Sequence, residues 1–315
     1  MKKVLIAGHT GLVGSALTHR LETQHAGLMP VVLGTKVDYR DPVMTQQIIG
    51  EIVPDAIVIC AGRVGGISDN IHRPADYVYD NAIIQANIIK AAHAHNVSKL
   101  IALGSSCIYP RECEQPMIES ALLSGPYEPT NRAYAVAKTL GIEMCRAYRK
   151  QYLNNFYAIM PPNLFGANDN FREHQSHAVA ALLRKVYEAE DGDTIEIWGD
   201  GSPRREFMHV DDLASAIEFC LLNVDAWHCE PHGFINAGSG EDMSIAELAE
   251  TIIQISGKNL KMRFNTDHPS GMPRKMMDSS KMQALGWRNE ISLRYGLVAT
   301  WEWMQEHWHE DFVRK

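Results

Sequence analysis

A chain of 315 residues with 45% hydrophobic and 22% charged side chains has the balance of a folded globular protein, long enough for one large or two smaller domains. Its net charge of −8 argues against nucleic acid or an acidic membrane as partner, since such surfaces are held by clustered basic residues; an anionic small molecule would need local arginines. No apolar run reaches the roughly 20 residues that span a bilayer, MKKVLIAG is too short for an export signal, and six cysteines without CxxC or zinc-finger spacing read as free thiols of a cytoplasmic protein with no metal site.

Short β-branched runs alternate with helix-length amphipathic stretches. KVLIAG precedes GSALTHRLET, and PVVLG precedes PVMTQQIIGEI; DAIVICAG leads to a helix expected over 74–95, KLIALGSS to one over 132–152, and FYAIMPPN follows. This alternation predicts an α/β fold, a Rossmann-type doubly wound parallel sheet covered on both faces. Beyond about residue 164 a loop-rich GANDNFREHQS leads to a helix beginning at His177 behind a Ser176 cap, a strand IEIWG, and the Gly/Pro-rich turns DGSPRRE and HPSGMPRK. The expected organisation is a dinucleotide-binding domain over 1–164 and a smaller, mainly substrate-binding α/β domain over 165–315, with a segment at about 211–238 returning to the first.

The first strand runs into AGHTGLVGSAL, placing Gly8, Gly11 and Gly14 at a strand-turn-helix junction, with His9, Thr10, Leu12 and Val13 between them. Glycines there let backbone amides approach a pyrophosphate at a helix N-terminus, where the dipole favours negative charge. Three glycines also make a plain turn; their place between an N-terminal strand and an amphipathic helix favours a dinucleotide. The second strand ends VVLGTKVD. Gly34 offers no acid to a ribose 2′-hydroxyl and Lys36 can meet a 2′-phosphate, so NADP(H) is expected over NAD.

YAVAK at 134 to 138 puts Tyr134 and Lys138 one helical turn apart. The ammonium is expected to lower the phenol from its usual value of about 10. Ser105, in LGSSCIYP, falls at the carboxyl end of the fourth strand, where ligands of such sheets sit. Cys107 is expected on the same extended edge as Ser105, facing the same pocket, although a buried small hydrophobe is the ordinary reading of a cysteine there. His174 and His177 lack a third metal ligand.

The glycine loop, Ser105 and the YxxxK helix together match the extended short-chain dehydrogenase/reductase class. Within it the chain resembles the GDP-L-fucose synthase family (GDP-4-keto-6-deoxy-D-mannose 3,5-epimerase/4-reductase), through AGHTGLVGSA, RVGGI, PADYVYDN, LGSSCIYP, EPTNRAYAVAK, PPNLFGANDNF, SHAVAALLRK, WGDGSPRREFMHVDDLA, INAGSG and PRKMMD. The resemblance implies an NADPH-dependent homodimer acting on a GDP-sugar, with Ser105, Tyr134 and Lys138 as the reductase group and Cys107 and His177 as the epimerase acid/base pair. Cofactor contacts are implied for the glycine loop, for Leu103, Gly104, Ser105 and Ser106, for Pro161, Pro162, Asn163 and Leu164, and for Lys138 and His177. Lys185, Trp198 and Arg205 match positions that bind the GDP-sugar.

In a 4-keto sugar one carbonyl acidifies both C3 and C5, so an oxyanion site built from Ser105 and Tyr134 can serve epimerisation and reduction alike. Cys107 would supply the base, and His177, whose pKa a helix N-terminus would lower in favour of the neutral ring, would exchange protons near pH 7. Two positions depart from the family. Gly34 stands where bacterial members commonly have an arginine, and Ser270 where an aspartate contacts substrate. Ser270 keeps open a related GDP-keto-deoxy sugar on a colitose or deoxyheptose route. A non-catalytic dinucleotide-binding sensor is the reading outside enzymes, opposed by the intact Ser105, Tyr134 and Lys138.

Overall fold

The computed structural model describes residues 1–24, 26–34, 37–173, 175–267 and 272–309; Lys36 and Ser270 lie outside them. β1 (Lys2–Ala7) leads through the glycine loop into α1 (Leu12–Thr23), followed by β2 (Leu28–Val31), α2 (Pro42–Ile52) and β3 (Ala56–Ile59). Then come α3 (Ile67–His72), α4 (Pro74–Ala94), β4 (Lys99–Leu103), α5 (Arg132–Tyr152) and β5 (Phe156–Met160). α2 starts where Asp41 accepts the backbone N–H groups of Val43 and Met44 at 2.8 and 3.1 Å, with Pro42 in the first turn, a position where the missing proline N–H costs nothing.

The second half begins with β6 (Asn163–Phe165), α6 (Ala178–Glu188), β7 (Thr194–Trp198), β8 (Arg204–His209), α7 (Val210–Asn223) and β9 (Phe234–Asn236). It continues with β10 (Asp242–Ser244), α8 (Ile245–Ser256), β11 (Lys261–Asn265), β12 (Arg274–Lys275), α9 (Ser280–Ala284) and α10 (Leu293–His307).

Six strands form one parallel sheet in the order β2-β1-β3-β4-β5-β9. β3 and β5 are buried at every residue, as befits strands covered on both faces. Alternate side chains feed two cores. Val4, Ile6, Val58 and Ile101 pack with Leu17 of α1 and Leu213 and Ile217 of α7. Leu5, Ile57, Ile59 and Leu100 pack with Ile49, Ile88 and Ile142 from α2, α4 and α5.

Residues after 164 are shared between this sheet and a second unit. α7 lies against α1, where Arg20 Nε bonds Glu218 Oε2 at 2.6 Å. Its C-terminal carbonyls, on Cys220, Leu221 and Val224, accept from Lys99 Nζ of β4 at 3.3, 3.0 and 2.8 Å. β9 then supplies the sixth strand by pairing with β5. In the second unit β8 is central, antiparallel to β10 and parallel to β12 and β6, while β7 and β11 form a separate parallel pair. A third core of Val179, Leu183, Ile197, Phe207 and Leu248 joins them with α10. Residue 164 thus falls inside β6, a strand of the second unit.

The order of the large sheet reverses at β1, and the glycine loop sits at that switch point, where ligands of open α/β sheets bind. Gly8 has φ +93° and its added Cβ would lie 2.5 Å from the Ala61 backbone nitrogen; at Gly14 it would lie 2.1 Å from the Gly8 carbonyl oxygen. Because both obstacles are backbone, Gly14→Ala is expected to cost about 1–3 kcal/mol and to weaken dinucleotide binding. Urea unfolding and a cofactor titration of the variant check this.

Candidate active site

Above the carboxyl ends of β1, β3, β4 and β5 lies a cavity of about 490 Å³. Gly11, Leu12 and Val13 line it, together with Leu103 to Cys107, Tyr134, Lys138, Pro161 to Leu164, His177 and Arg205. Of the other residues expected in the site, Gly8 and Gly14 shape the loop beneath rather than line the cavity, and neither His9 nor Thr10 is on its wall. The loop suits a pyrophosphate. Gly11 caps α1 with no side-chain hydrogen bond, the first turn holds no acid, and Gly11 itself leaves room for a close approach.

Ser105, Tyr134 and Lys138, the residues expected to form the reductase group, come together here, but their electrostatics differ from the sequence expectation. Lys138 Nζ donates to the Leu103 carbonyl at 2.7 Å and lies 5.7 Å from the centre of the Tyr134 ring. Burial pulls Lys138 down to about 8. Burial also raises the Tyr134 phenol above its ordinary value, helped by Cys107 and opposed by Ser105. The expected lowering by Lys138 is therefore corrected: desolvation of the buried phenolate leads the shift, and Tyr134 stays protonated.

Ser105 is extended (φ −162°, ψ 144°), but β4 has already ended, and Ser106–Ile108 form a turn of 3₁₀ helix. The Ser105 hydroxyl accepts the Cys107 N–H at 3.2 Å. Strand alternation is thus not what brings Ser105 and Cys107 to one wall; this capped turn is.

The Cys107 thiol has two polar neighbours that the sequence reading missed. Asn131 Nδ2 lies 3.1 Å from Sγ and Lys275 Nζ 3.2 Å. Burial alone would raise the thiol, yet Lys275, the Ser105 hydroxyl and Arg205 together leave it below its ordinary value. Lys275→Met is therefore expected to slow alkylation of Cys107 by iodoacetamide at pH 7 and to shift the midpoint of its pH profile upward; an unmoved profile would refute the pairing.

β12 pairs with β8 in parallel, setting Lys275 beside Arg205 and Arg274 beside Arg204. Alternation then sorts the four cations. Arg204 and Arg274 both bind Asp242, the first at 2.8 Å, and Arg204 also reaches Glu247 at 3.1 Å, whereas Arg205 and Lys275 face the cavity. The pair RR at 204 to 205 is thus split, and only Arg205 faces the cavity. Burial holds its guanidinium below the ordinary value against the opposing pull of Cys107 and Glu128.

His177 caps α6 itself, without a side-chain cap bond and without Ser176 in that role. As expected it is lowered, to about 4, but by burial first and then by Lys275 rather than by the helix terminus, and the ring is neutral at pH 7. Lys185 and Trp198 do not line the cavity. They sit together instead, with Lys185 Nζ 5.8 Å from the Trp198 ring centre and donating to the Glu196 carbonyl at 2.8 Å. Among the described residues no cluster of His, Cys, Asp and Glu could hold a metal, all six cysteines are free, and no helix is long and apolar enough to cross a membrane.

A parallel sheet with a glycine loop at its switch point, and a serine, tyrosine and lysine on one wall beside it, define a dinucleotide-dependent oxidoreductase of the extended short-chain type. Residues 4–238 match the NAD dependent epimerase/dehydratase family. The chain is 42% identical over 314 residues to GDP-L-fucose synthase of Escherichia coli (strain K12), covering 97% of each protein. To GDP-L-fucose synthase 1 of Arabidopsis thaliana it is 43% identical over 305 residues, covering 96% of this chain and 92% of that one. A solved GDP-L-fucose synthetase from Naegleria fowleri bound to NADP superposes with a TM-score of 0.89 at 27% identity, covering 100% of this chain and 95% of the other. The chain belongs to the NAD dependent epimerase/dehydratase family and, within it, to the GDP-L-fucose synthases.

Proposed function

We propose that this protein converts GDP-4-keto-6-deoxy-D-mannose to GDP-L-fucose by 3,5-epimerisation followed by NADPH-dependent 4-reduction. The observation that carries this reading is the Cys107 thiol, held between Lys275 and Asn131 in the cavity that also holds Ser105, Tyr134 and Lys138. Reduction alone has no use for a base; epimerisation next to the carbonyl does.

The glycine loop and the Leu103–Ser106 and Pro161–Leu164 edges would hold NADPH, which would supply the hydride for C4. Ser105 and Tyr134 hold the C4 oxygen, stabilising the enolate that forms when a proton leaves C3 or C5 and giving a proton to the alkoxide at the end. Cys107 removes the carbon-bound protons as a thiolate stabilised by Lys275. His177 returns protons on the opposite face; the diphosphate of the substrate, entering beside it, favours the protonated ring over the neutral one that burial and Lys275 impose. Arg205 and Lys275 give that diphosphate local cations on a chain whose net charge is −8. Lys185 and Trp198 serve the nucleotide end.

A homodimer through α4 and α5 is part of this reading. Tyr79, Val136 and Leu140 are 64%, 42% and 41% exposed on these two packed helices, an apolar surface that a second copy would cover. Six free cysteines suit the reducing cytoplasm.

The test is product analysis by NMR after mixing the protein with GDP-4-keto-6-deoxy-D-mannose and NADPH or NADH. GDP-L-fucose should form, faster with NADPH, and Lys36→Ala should narrow that preference. A reduced product with unchanged configuration at C3 and C5 would overturn the epimerase half of the reading; equal rates with the two cofactors would overturn the role of Lys36.

A further inference from the structure

Among the described residues five buried side-chain oxygens have no hydrogen-bond partner: Asn70 Oδ1, Glu128 Oε2, Asn131 Oδ1, Asp169 Oδ2 and Glu218 Oε1. The first four belong to residues lining the active-site cavity. All are acceptors, so that wall asks for a ligand rich in hydrogen-bond donors. Buried acceptors left unpaired are costly, and a native protein keeps them where something else satisfies them.

Asp169 is the sharpest of the four. Asn70 and Asn131 are neutral amides whose nitrogens are already engaged, and Glu128 Oε2 has Arg111 Nε 3.5 Å away. Asp169 is a 6% exposed carboxyl. Its Oδ1 accepts the Asn170 N–H at 2.7 Å, which leaves Oδ2 for the cavity, and no cation among the described residues forms an ion pair with it.

Its backbone is held from both sides. Asn168 Nδ2 donates to Ser15 Oγ at 3.3 Å, next to the glycine loop, and the Gly66 N–H donates to the Gln175 carbonyl at 3.0 Å farther along the same loop. Phe171, between these anchors, is fully buried and stacked on Trp303.

We propose that Asp169 is a ligand-binding residue whose carboxyl accepts hydrogen bonds from the hydroxyls of a bound sugar, either a ribose diol of the dinucleotide or a hexose diol of the sugar nucleotide. The assignment rests on reading the cavity as the joint site of those two ligands. Burial pushes the Asp169 carboxyl up to about 7, the mark of a group short of donors in the free protein, and donor hydroxyls would draw it back toward the ionised form. Free-protein stability is given up here for binding.

The experiment titrates wild type and Asp169→Asn calorimetrically with NADP⁺ and, separately, with GDP-L-fucose, and records the melting temperature without ligand. In the variant the Asn170 N–H keeps the amide oxygen, so an NH₂ faces the ligand where an acceptor stood. Affinity should fall about 10- to 100-fold for one of the two ligands, which identifies the source of the diol. The ligand-free melting temperature should hold or rise, because an unpartnered buried carboxyl has gone. Both affinities within twofold of wild type would overturn the assignment, as would weakening that simply follows a fall in melting temperature. Should Asp169→Asn not fold, Asp169→Ala takes its place with the same criteria. A wild type that binds neither ligand would overturn the proposed function itself, an outcome distinct from a wild type and a variant that bind both alike.

Discussion

Replacing Tyr134 with phenylalanine is expected to slow reduction roughly 10²- to 10⁴-fold, the usual weight of one positioned acid, with the melting temperature close to wild type. The ring contacts survive the change: Tyr77 meets the Tyr134 ring edge-on with centroids 6.1 Å apart, and Lys138 Nζ keeps its place 5.7 Å from the ring centre. What is lost is a proton and an oxyanion donor at the C4 oxygen. The raised phenol sharpens this expectation, because a tyrosine that holds its proton at neutral pH is fully in the donor form when the alkoxide appears. Steady-state oxidation of NADPH, followed at 340 nm with the keto sugar as substrate, measures the loss. Turnover within a few-fold of wild type by a folded variant would remove Tyr134 from the mechanism.

Cys107→Ala is expected to abolish proton exchange at C3 and C5 while leaving the hydride-transfer machinery assembled. In D₂O with NADP⁺ or no cofactor, so that no reduction can follow, wild type should wash deuterium into both positions of the keto sugar. The variant should do so at least about 10²-fold more slowly. The cause is specific: alanine leaves Ser105, Tyr134 and Lys138 in place and removes only the sulfur between Asn131 and Lys275. A cysteine that merely packed would cost a modest amount of stability and leave exchange nearly unchanged. With NADPH supplied, slow reduction of unepimerised ketone would give a D-configured product. Full exchange by Cys107→Ala would move the proton chemistry to His177 or elsewhere.

The elements that hold this site were readable in the sequence where local pattern decides them. The expected helices at 74–95 and 132–152 are α4 (Pro74–Ala94) and α5 (Arg132–Tyr152), long enough for their periodicity to be plain. Four of the six sheet strands were readable as short apolar runs, the second strand being Leu28–Val31 rather than the expected PVVLG, and the YxxxK spacing needs only a helix to have its meaning. Lys275 was not readable, although PRKMMD was singled out. It stands 168 residues from Cys107 on a two-residue strand, too short to show any period, and only the pairing of β12 with β8 brings it in.

Asn131 and Asp169 sit in connecting segments where polar residues are ordinary, so nothing local marks them. The direction at Tyr134 and the cause at His177 were missed for a different reason. The sequence offers neighbours by charge, whereas the shifts at Tyr134 and His177 are led by burial, a property of the assembled fold.

The pairing of β9 with β5 makes the edge of the large sheet depend on chain made late in synthesis. Until Phe234–Asn236 has left the ribosome, the nascent sheet ends at β5 with Ala158–Met160 offering an open hydrogen-bonding edge, the kind of edge that recruits other chains. α7 emerges just ahead of β9 and closes one core over α1, so the dinucleotide half cannot mature from its own N-terminal stretch of chain. Arg205 emerges earlier than β9 and Lys275 later. Arg205 and Lys275, the two cations that face the cavity, are therefore both present only once the strand that covers this edge has been synthesised.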